Sequence, residues 1–578
     1  MPATSEALPT TPRAMPAAYH ELPRKRLILT MAGLMLTLLL SALDQTIVGT
    51  AMPRIIAELQ GFDHYAWVTT AYLLSSTAVV PIVGKLSDIY GRKLFLVGGA
   101  AFFVFASALC GLAQDMTQLI VFRGLQGIGG GILMAMVFTT VSSIFPPASR
   151  GRVQGLFTSV FGFSSIVGPL LGGYLTDALN WRWVFYVNLP LGLIALAVLW
   201  LGFPNIRPNR TDRPIDVLGA VTLVLSVVPL LLALSWGGGE YAWTSAPILG
   251  LFGFAAIMTA LFLWVESRAA EPIIPLGLFQ NRIIAISTLA MLCVTMGMFG
   301  TILFVPLFIQ GVIGATATES GTVTMPMMMM IILGSLVGGQ IISRTGRYKW
   351  VALFGLTTAA FGMFLLSRMG PDTSYGTVVR NMMIVGLGLG PTMPVFTIAA
   401  QNAVNYAQLG VVTSVIQFAR SIGSTLGAAL FGSLLVNRFG SALQESLPPA
   451  AAGVIPAGVL DSIHNPQVLL NPQTAGTLQA SLAAASPQAA QAYDALVLAI
   501  RTGLAVSLHE TFMLGATVVA AGAILVIFLR ELPLRKTFAD APGTGAGAGA
   551  QDAERGGAPA PVMSMAASSG HAEGSPVA

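Results

Sequence analysis

Charge is scarce in this chain. Asp, Glu, Lys and Arg together make up 9% of its 578 residues, hydrophobic residues make up 54%, and the mean hydropathy is +0.77. That balance excludes a water-soluble globule, which needs a charged surface to stay dispersed. Cysteine is nearly absent: Cys110 and Cys293 stand far apart, each inside an apolar run, so neither a disulfide framework nor a thiolate metal site is expected. No HExxH, P-loop or paired His/Cys set occurs. A membrane-embedded enzyme or receptor is therefore a remote class, and no metal or organic cofactor is expected. There is also no ten-residue alternation of the kind a membrane β-barrel requires. The net charge of +5 is spread through short loops beside apolar segments, which argues for membrane topology and against nucleic-acid binding.

What the chain has in abundance is long apolar runs. Spanning a bilayer takes about 20 apolar residues per helix, with every backbone group satisfied internally. About fourteen such helices are predicted, centred near Leu38, Leu74, Phe103, Ala135, Ile166, Ile194, Val224, Phe254, Met296, Leu333, Thr358, Leu387, Gly423 and Ala520. An even number puts both termini on one side. Arg24 to Arg26, Lys85 with Arg92 and Lys93, Arg150 with Arg152, Arg207 with Arg210 and Arg213, Arg344 with Arg347 and Lys349, and Arg535 with Lys536 all fall on that side. The positive-inside rule makes it cytoplasmic in a multi-pass plasma (inner) membrane protein. The first run is too long for a signal-peptide core and lacks a small-residue cleavage site, so it is expected to be retained.

Asp44 interrupts that first run. A carboxylate near the centre of a membrane helix costs roughly 2.5–3.5 kcal/mol on insertion scales, so its presence points to function. Desolvation works against the ionised form of a buried acid, which lets such a group take up and release a proton. Arg123, in an apolar run of its own, needs a carboxylate, carbonyls or water, and Asp44 is the natural partner. The bland alternatives are an Asp on a polar seam and an Arg reaching toward the headgroups.

The two halves repeat. Gly84-Lys85-Leu86-Ser87-Asp88-Ile89-Tyr90-Gly91-Arg92 recurs from Gly339 to Arg347, an offset of 255 from residue 84 to residue 339. Gly155, Thr158, Ser159, Val160, Phe163, Gly168 and Gly172 recur at the same offset as Gly410, Thr413, Ser414, Val415, Phe418, Gly423 and Gly427. Arg123, Gly129 and Gly131 match Arg380, Gly386 and Gly388. Ordered matches of this kind indicate duplication. The expected organisation is a disordered cytoplasmic leader over 1–26, a six-helix bundle over 27–204, and an inserted helix pair with linkers over 205–282. A second six-helix bundle then covers 283–536, with an extracytoplasmic loop over 437–508, and a disordered tail covers 537–578. The loop either caps the outer cavity or meets a cell-envelope partner, or is passive. Parallel six-helix repeats facing each other across a midplane cavity are the build of a rocking transporter.

GKLSDIYGRK (Gly84 to Lys93), RGLQGIGGG (Arg123 to Gly131), SSIVGPLLGGYLTD (Ser164 to Asp177) and LDQTIVGTAMP (Leu43 to Pro53) together carry a resemblance. The chain resembles the major facilitator superfamily, and within it the fourteen-helix drug:proton antiporters of the QacA/EmrB type, over about Arg24 to Lys536. The resemblance implies an all-α polytopic exporter that exchanges protons for lipophilic, cationic compounds, from a bacterium. The proton is its coupling ion and the bilayer its surroundings. It implies proton coupling by Asp44 and Arg123, with Gln126 and Gly127 in the fourth-helix motif. It also implies a cytoplasmic gate at Gly84, Asp88, Gly91, Arg92 and Lys93, and an antiporter motif at Gly168, Pro169, Gly172 and Gly173. Gly49 stands where many members carry Asn, and Ser343 stands where the first copy has Asp88. A carrier for an endogenous lipid, peptide or metabolite fits the same machine.

Three features carry less. Met325 and Met327 to Met330 point around a helix instead of converging, which favours a pliable apolar wall over a soft-metal site. Arg420 lies inside the thirteenth span and belongs either to the working surface of the second half or to a polar seam. His509 and Glu510 are expected to anchor the start of the last span.

Overall fold

Fourteen membrane-length helices are present among the described residues of the computed structural model, which are 23–59, 65–204, 216–238, 241–315, 317–405, 408–448 and 493–534. The first half comprises α1 (Arg24–Leu59), α2 (Tyr65–Tyr90), α3 (Arg92–Leu112), α4 (Met116–Ile144), α5 (Pro147–Ala178) and α6 (Asn188–Gly202), the last entered through a single turn, Trp183–Tyr186. The inserted pair is α7 (Val217–Trp236) and α8 (Ala246–Glu266). The second half is α9 (Arg282–Leu307), α10 (Ala317–Thr345), α11 (Tyr348–Ser367), α12 (Tyr375–Asn402), α13 (Leu409–Ser446) and α14 (Tyr493–Ile527). A single bridge, Gly237 to Tyr241, is the only β pairing among the described residues.

Local chemistry starts these helices where they start. Asp115, Asp216, Asn281 and Ser374 each accept a hydrogen bond from a backbone N–H in the first turn of α4, α7, α9 and α12, an N-cap worth about 0.5–2 kcal/mol. Pro147 opens α5, where its missing N–H costs nothing. Gly91 holds φ 92° in the turn into α3, and Gly346, its counterpart 255 positions on, holds φ 71° in the turn into α11. The duplicated glycines thus take a positive φ at the matching turn of both halves, a conformation that favours glycine.

Burial differs by helix in a way that locates the working interior. In α4 and α12, which correspond under the duplication, 83% and 78% of the membrane window is buried, whereas α8 has only 22%. The first pair therefore lines the centre, and α8 packs chiefly on α7 and faces lipid. α7 lies against both α2 and α13, and its Leu223, Val227 and Leu231 join the apolar core of the second half. Trp67 of α2 meets Trp236 of α7 edge-on at 5.2 Å.

Several boundaries differ from the sequence expectation. α1 begins at Arg24, inside the expected 1–26 leader, and α13 and α14 run to Ser446 and from Tyr493, well into the expected 437–508 loop. The extensions pack on each other: Phe439 and Leu443 of α13 and Leu496, Ile500 and Leu504 of α14 are buried in one apolar cluster, and Arg438 pairs with Glu510 at 2.8 Å and Glu445 at 3.3 Å at its edge. His509 and Glu510 accordingly sit within α14, with His509 Nδ1 2.5 Å from the Ser367 carbonyl oxygen. Residues 1–22, the 449–492 part of the loop, and 535–578 lie outside the described residues. The methionines of α10 splay as their consecutive spacing requires: Met327 is fully buried and Met329 is 54% exposed.

Candidate coupling site and central cavity

Four helices of the first half bring one polar cluster together. Asp44 comes from α1, Ser107 from α3, Arg123 and Gln126 from α4, and Asn188 from the first residue of α6. Asp44 Oδ2 accepts from Arg123 Nη1 at 2.7 Å, and Oδ1 accepts from Gln126 Nε2 and from Asn188 Nδ2, each at 2.8 Å. Arg123 also donates to Gln126 Oε1 at 2.6 Å and to the Val68 carbonyl at 3.2 Å. Ser107 Oγ accepts from Gln126 and Asn188, both at 3.0 Å. Asp44, Gln126, Ser107 and Asn188 are 0% exposed and Arg123 is 2% exposed. Buried charge is tolerated when paired and hydrogen-bonded on every side, which this carboxylate is.

Asn188 and Ser107 escaped the sequence reading. Their signal is faint: a lone Asn and a lone Ser in apolar runs, each of which has an ordinary helix-seam role until the fold brings them to Asp44. Tyr72 was equally hidden. Its ring lies 4.4 Å from the Arg123 guanidinium carbon, and it also lines the cavity between the halves. A Cβ at Gly130 would overlap the Tyr72 hydroxyl, so glycine in the fourth-helix motif is what admits this ring. Gly127 acts similarly, since a Cβ there would come within 2.8 Å of Tyr72 Cα.

Two glycines of the fifth helix, Gly168 and Gly172, hold α5 close to α1. A Cβ at Gly168 would overlap Thr46, and one at Gly172 would stand 2.7 Å from the Ile47 carbonyl oxygen. The close approach allows Thr46 Oγ1 to donate to the Ser164 carbonyl at 3.0 Å. Gly173 meets nothing within 4 Å, so only the GxxxG pair packs. Pro169 lies exposed within α5 and removes one helical donor.

At the end of the molecule carrying the basic loops, the halves meet along two seams that the duplication relates. In one, Gly84 of α2 lies against Ser414 of α13, and the Asp88 carboxylate lies where a Cβ of Gly410 would be. Asp88 thereby faces the first turn of α13, where a helix favours an anion. In the other, a Cβ at Gly339 of α10 would overlap the carbonyl of Gly151 in α5, and Ser343 Oγ accepts from the Arg152 N–H at 3.3 Å. Arg92 donates to Asp88 at 3.2 Å. Lys93 instead caps α6, donating to the Phe203 carbonyl at 2.8 Å and the Trp200 carbonyl at 3.1 Å. Lys85 pairs with Glu271 at 2.9 Å, tying the end of α2 to the segment after α8. Arg150, fully buried, adds a bridge: it donates to the Phe145 carbonyl at 2.8 Å and to Gln401 of α12 at 3.3 Å.

These seams make a direct expectation. Gly339→Val is expected to force α10 from α5 and, if the halves rock as rigid bodies, to open the α2–α13 seam as well. Maleimide labelling of a cysteine placed at the buried Ser414 would then rise several-fold over the same reporter without Gly339→Val. Unchanged labelling would show that the two seams open independently.

Between the halves lies a cavity of about 90 Å³ lined by Gln45, Tyr72, Phe161, Phe299, Gln417 and Arg420 among others. At ~30 Å³ per water it holds about three, whereas drug-sized pockets run to about 300–1,000 Å³. Among the described residues the second half shows no copy of the ion pair: Arg380, the counterpart of Arg123, is exposed and donates to Asn381 at 3.1 Å, and α9, the counterpart of α1, has no acidic residue.

Duplicated helix bundles around a central cavity have the architecture of a membrane transporter. The Major Facilitator Superfamily model matches residues 34–428, and the chain belongs to that family. It is 42% identical over 517 residues to "Multidrug transporter protein MdtP" of Bacillus subtilis (strain 168), covering 89% of this chain and 94% of that one. "Multidrug resistance protein 3" of the same organism is 39% identical over 507 residues, covering 87% of this chain and 95% of that one. Among solved structures, the proton:xylose symporter XylE aligns with a TM-score of 0.57 at 12% identity, covering 88% of this chain and 96% of that one. That likeness is one of fold. The chain is thus a fourteen-helix, multi-pass membrane transporter whose similar relatives are named for multidrug transport and multidrug resistance.

Proposed function

We propose that this protein exports lipophilic compounds from a bacterial cell across the plasma membrane by alternating access, in exchange for protons that enter through Asp44. Both termini and the Gly84–Lys93 loop are cytoplasmic in this reading, so the two seams form the cytoplasmic gate. The observation that carries it is the sealed Asp44–Arg123–Gln126–Asn188 cluster, which touches the central cavity through Tyr72. A proton on Asp44 cancels the attraction to Arg123 and converts an acceptor into a donor among donors. Asn188 Oδ1, which has no hydrogen-bond partner, supplies an acceptor that an amide rotation would bring to the new O–H. Both changes loosen α1 from α4, and α1 is the helix packed on α5, which forms the gate seam with α10. Protonation is thereby linked to the gate through helices in direct contact.

Reconstituted protein tests this. Proteoliposomes holding a pH-sensitive dye are given rhodamine 6G or fluorescein from the side matching the cytoplasm. Cargo-dependent proton movement that nigericin abolishes is expected; transport of either dye without proton movement would refute antiport, and transport of neither would refute lipophilic export.

A further inference from the structure

Arg420 is the cavity's unspent charge. It projects from α13, its guanidinium carbon sits 5.0 Å from the ring centroid of Phe161 across the interface between halves, and it makes no ion pair among the described residues. A cation so placed in a membrane interior is expected to have a partner. The cavity lining contains no Asp or Glu, and Asp44, the chain neighbour of the lining residue Gln45, is sealed and committed to Arg123. The repeat architecture does not demand it either: the residue 255 positions earlier is Ser165. Around it stand Gln417, Ser421, Ser424 and Thr425 on the same helix, with Phe161, Phe299 and Met134 as apolar wall.

We propose that Arg420 binds the acidic group of the cargo, and that the cargo is an anionic amphiphile: a lipophilic body carrying a carboxylate or comparable oxyanion. A guanidinium offers forked donors to an oxyanion, the neutral amide and hydroxyls complete its surroundings, and the aromatic wall takes the body. The cationic cargo expected from the family resemblance finds no counter-charge in this lining. The assignment rests on the export reading only in naming the ligand as cargo.

Equilibrium binding tests it without any proton gradient, so failure of the coupling assay leaves this readout intact. Full-length protein in phosphatidylcholine nanodiscs is titrated with fluorescein and with rhodamine 6G, xanthene dyes of opposite charge, by fluorescence polarisation. The wild type is expected to prefer fluorescein. Arg420→Gln is expected to weaken fluorescein by about tenfold or more, the loss of roughly one charge-assisted hydrogen bond, with rhodamine 6G unaffected. Arg420→Lys keeps the charge and retains most of the affinity. Gln417→Glu, one turn away, supplies an internal carboxylate and weakens fluorescein without removing the arginine, which covers the case of a misfolded Arg420→Gln. Tighter binding of rhodamine 6G by the wild type, or equal fluorescein affinity in wild type and both Arg420→Gln and Gln417→Glu, would overturn the proposal. Displacement by phosphatidylglycerol with no fluorescein binding would overturn it too, assigning the arginine to a lipid headgroup.

Discussion

Replacing Asp44 with asparagine is expected to lower pH-gradient-driven export by about a hundredfold, equivalent to about 2.8 kcal/mol, while cargo binding stays near the wild-type value. The substitution keeps the shape of the side chain and removes its charge. Arg123, which now meets a full carboxylate at 2.7 Å, would meet a neutral amide; a charge-assisted hydrogen bond is worth about 1.5–3 kcal/mol. The variant is fixed in the equivalent of the protonated state, so it binds and releases cargo without answering to the gradient. Binding survives because Asp44 is 0% exposed and absent from the cavity lining. The measurement is dye efflux from proteoliposomes with and without an imposed pH difference, alongside nanodisc binding. An Asp44→Asn protein that still accelerates export when the gradient is applied would remove this carboxylate from the proton path.

The second large effect is on folding. Arg123→Leu is expected to destabilise the protein by about 3–5 kcal/mol, the cost of leaving one member of a buried pair without the other. Gln126 and Asn188 would still reach Asp44 Oδ1, but Oδ2 would lose its only donor, and the Val68 carbonyl would lose the Arg123 Nε–H. The double variant Asp44→Asn with Arg123→Leu is expected to recover much of the lost stability, because no unpaired charge remains, while export stays uncoupled. Thermal unfolding of the detergent-solubilised single and double variants gives the coupling directly. Additive losses in the cycle would mean that the pair contributes nothing as a pair. Arg123→Lys should fall between, since an ammonium cannot reproduce the guanidinium's fan of contacts to Asp44, Gln126 and Val68.

Sequence alone determined the class, the count of helices and the duplication. Membrane helices need long apolar runs and the bilayer tolerates few charges, so composition and spacing carry that information directly. The same rule made Asp44 and Arg123 stand out, since a charge within an apolar run is costly wherever the fold takes it. Only the tertiary structure decided what completes the site. Asn188, Ser107 and Tyr72 are residue types that pack into membrane helices without distinction, and they acquire meaning when α2, α3, α4 and α6 converge around the Asp44–Arg123 pair. The helix ends past the membrane core were likewise hidden, because Phe439, Leu443, Leu496, Ile500 and Leu504 stand too far apart in the chain to read as one packed surface until α13 and α14 come together. Arg420 marks the sharpest division: its presence in a span is plain from the sequence, but facing a cavity without a carboxylate depends on which surfaces of two halves come together, and that is set by packing between segments as far apart as Phe161 and Arg420.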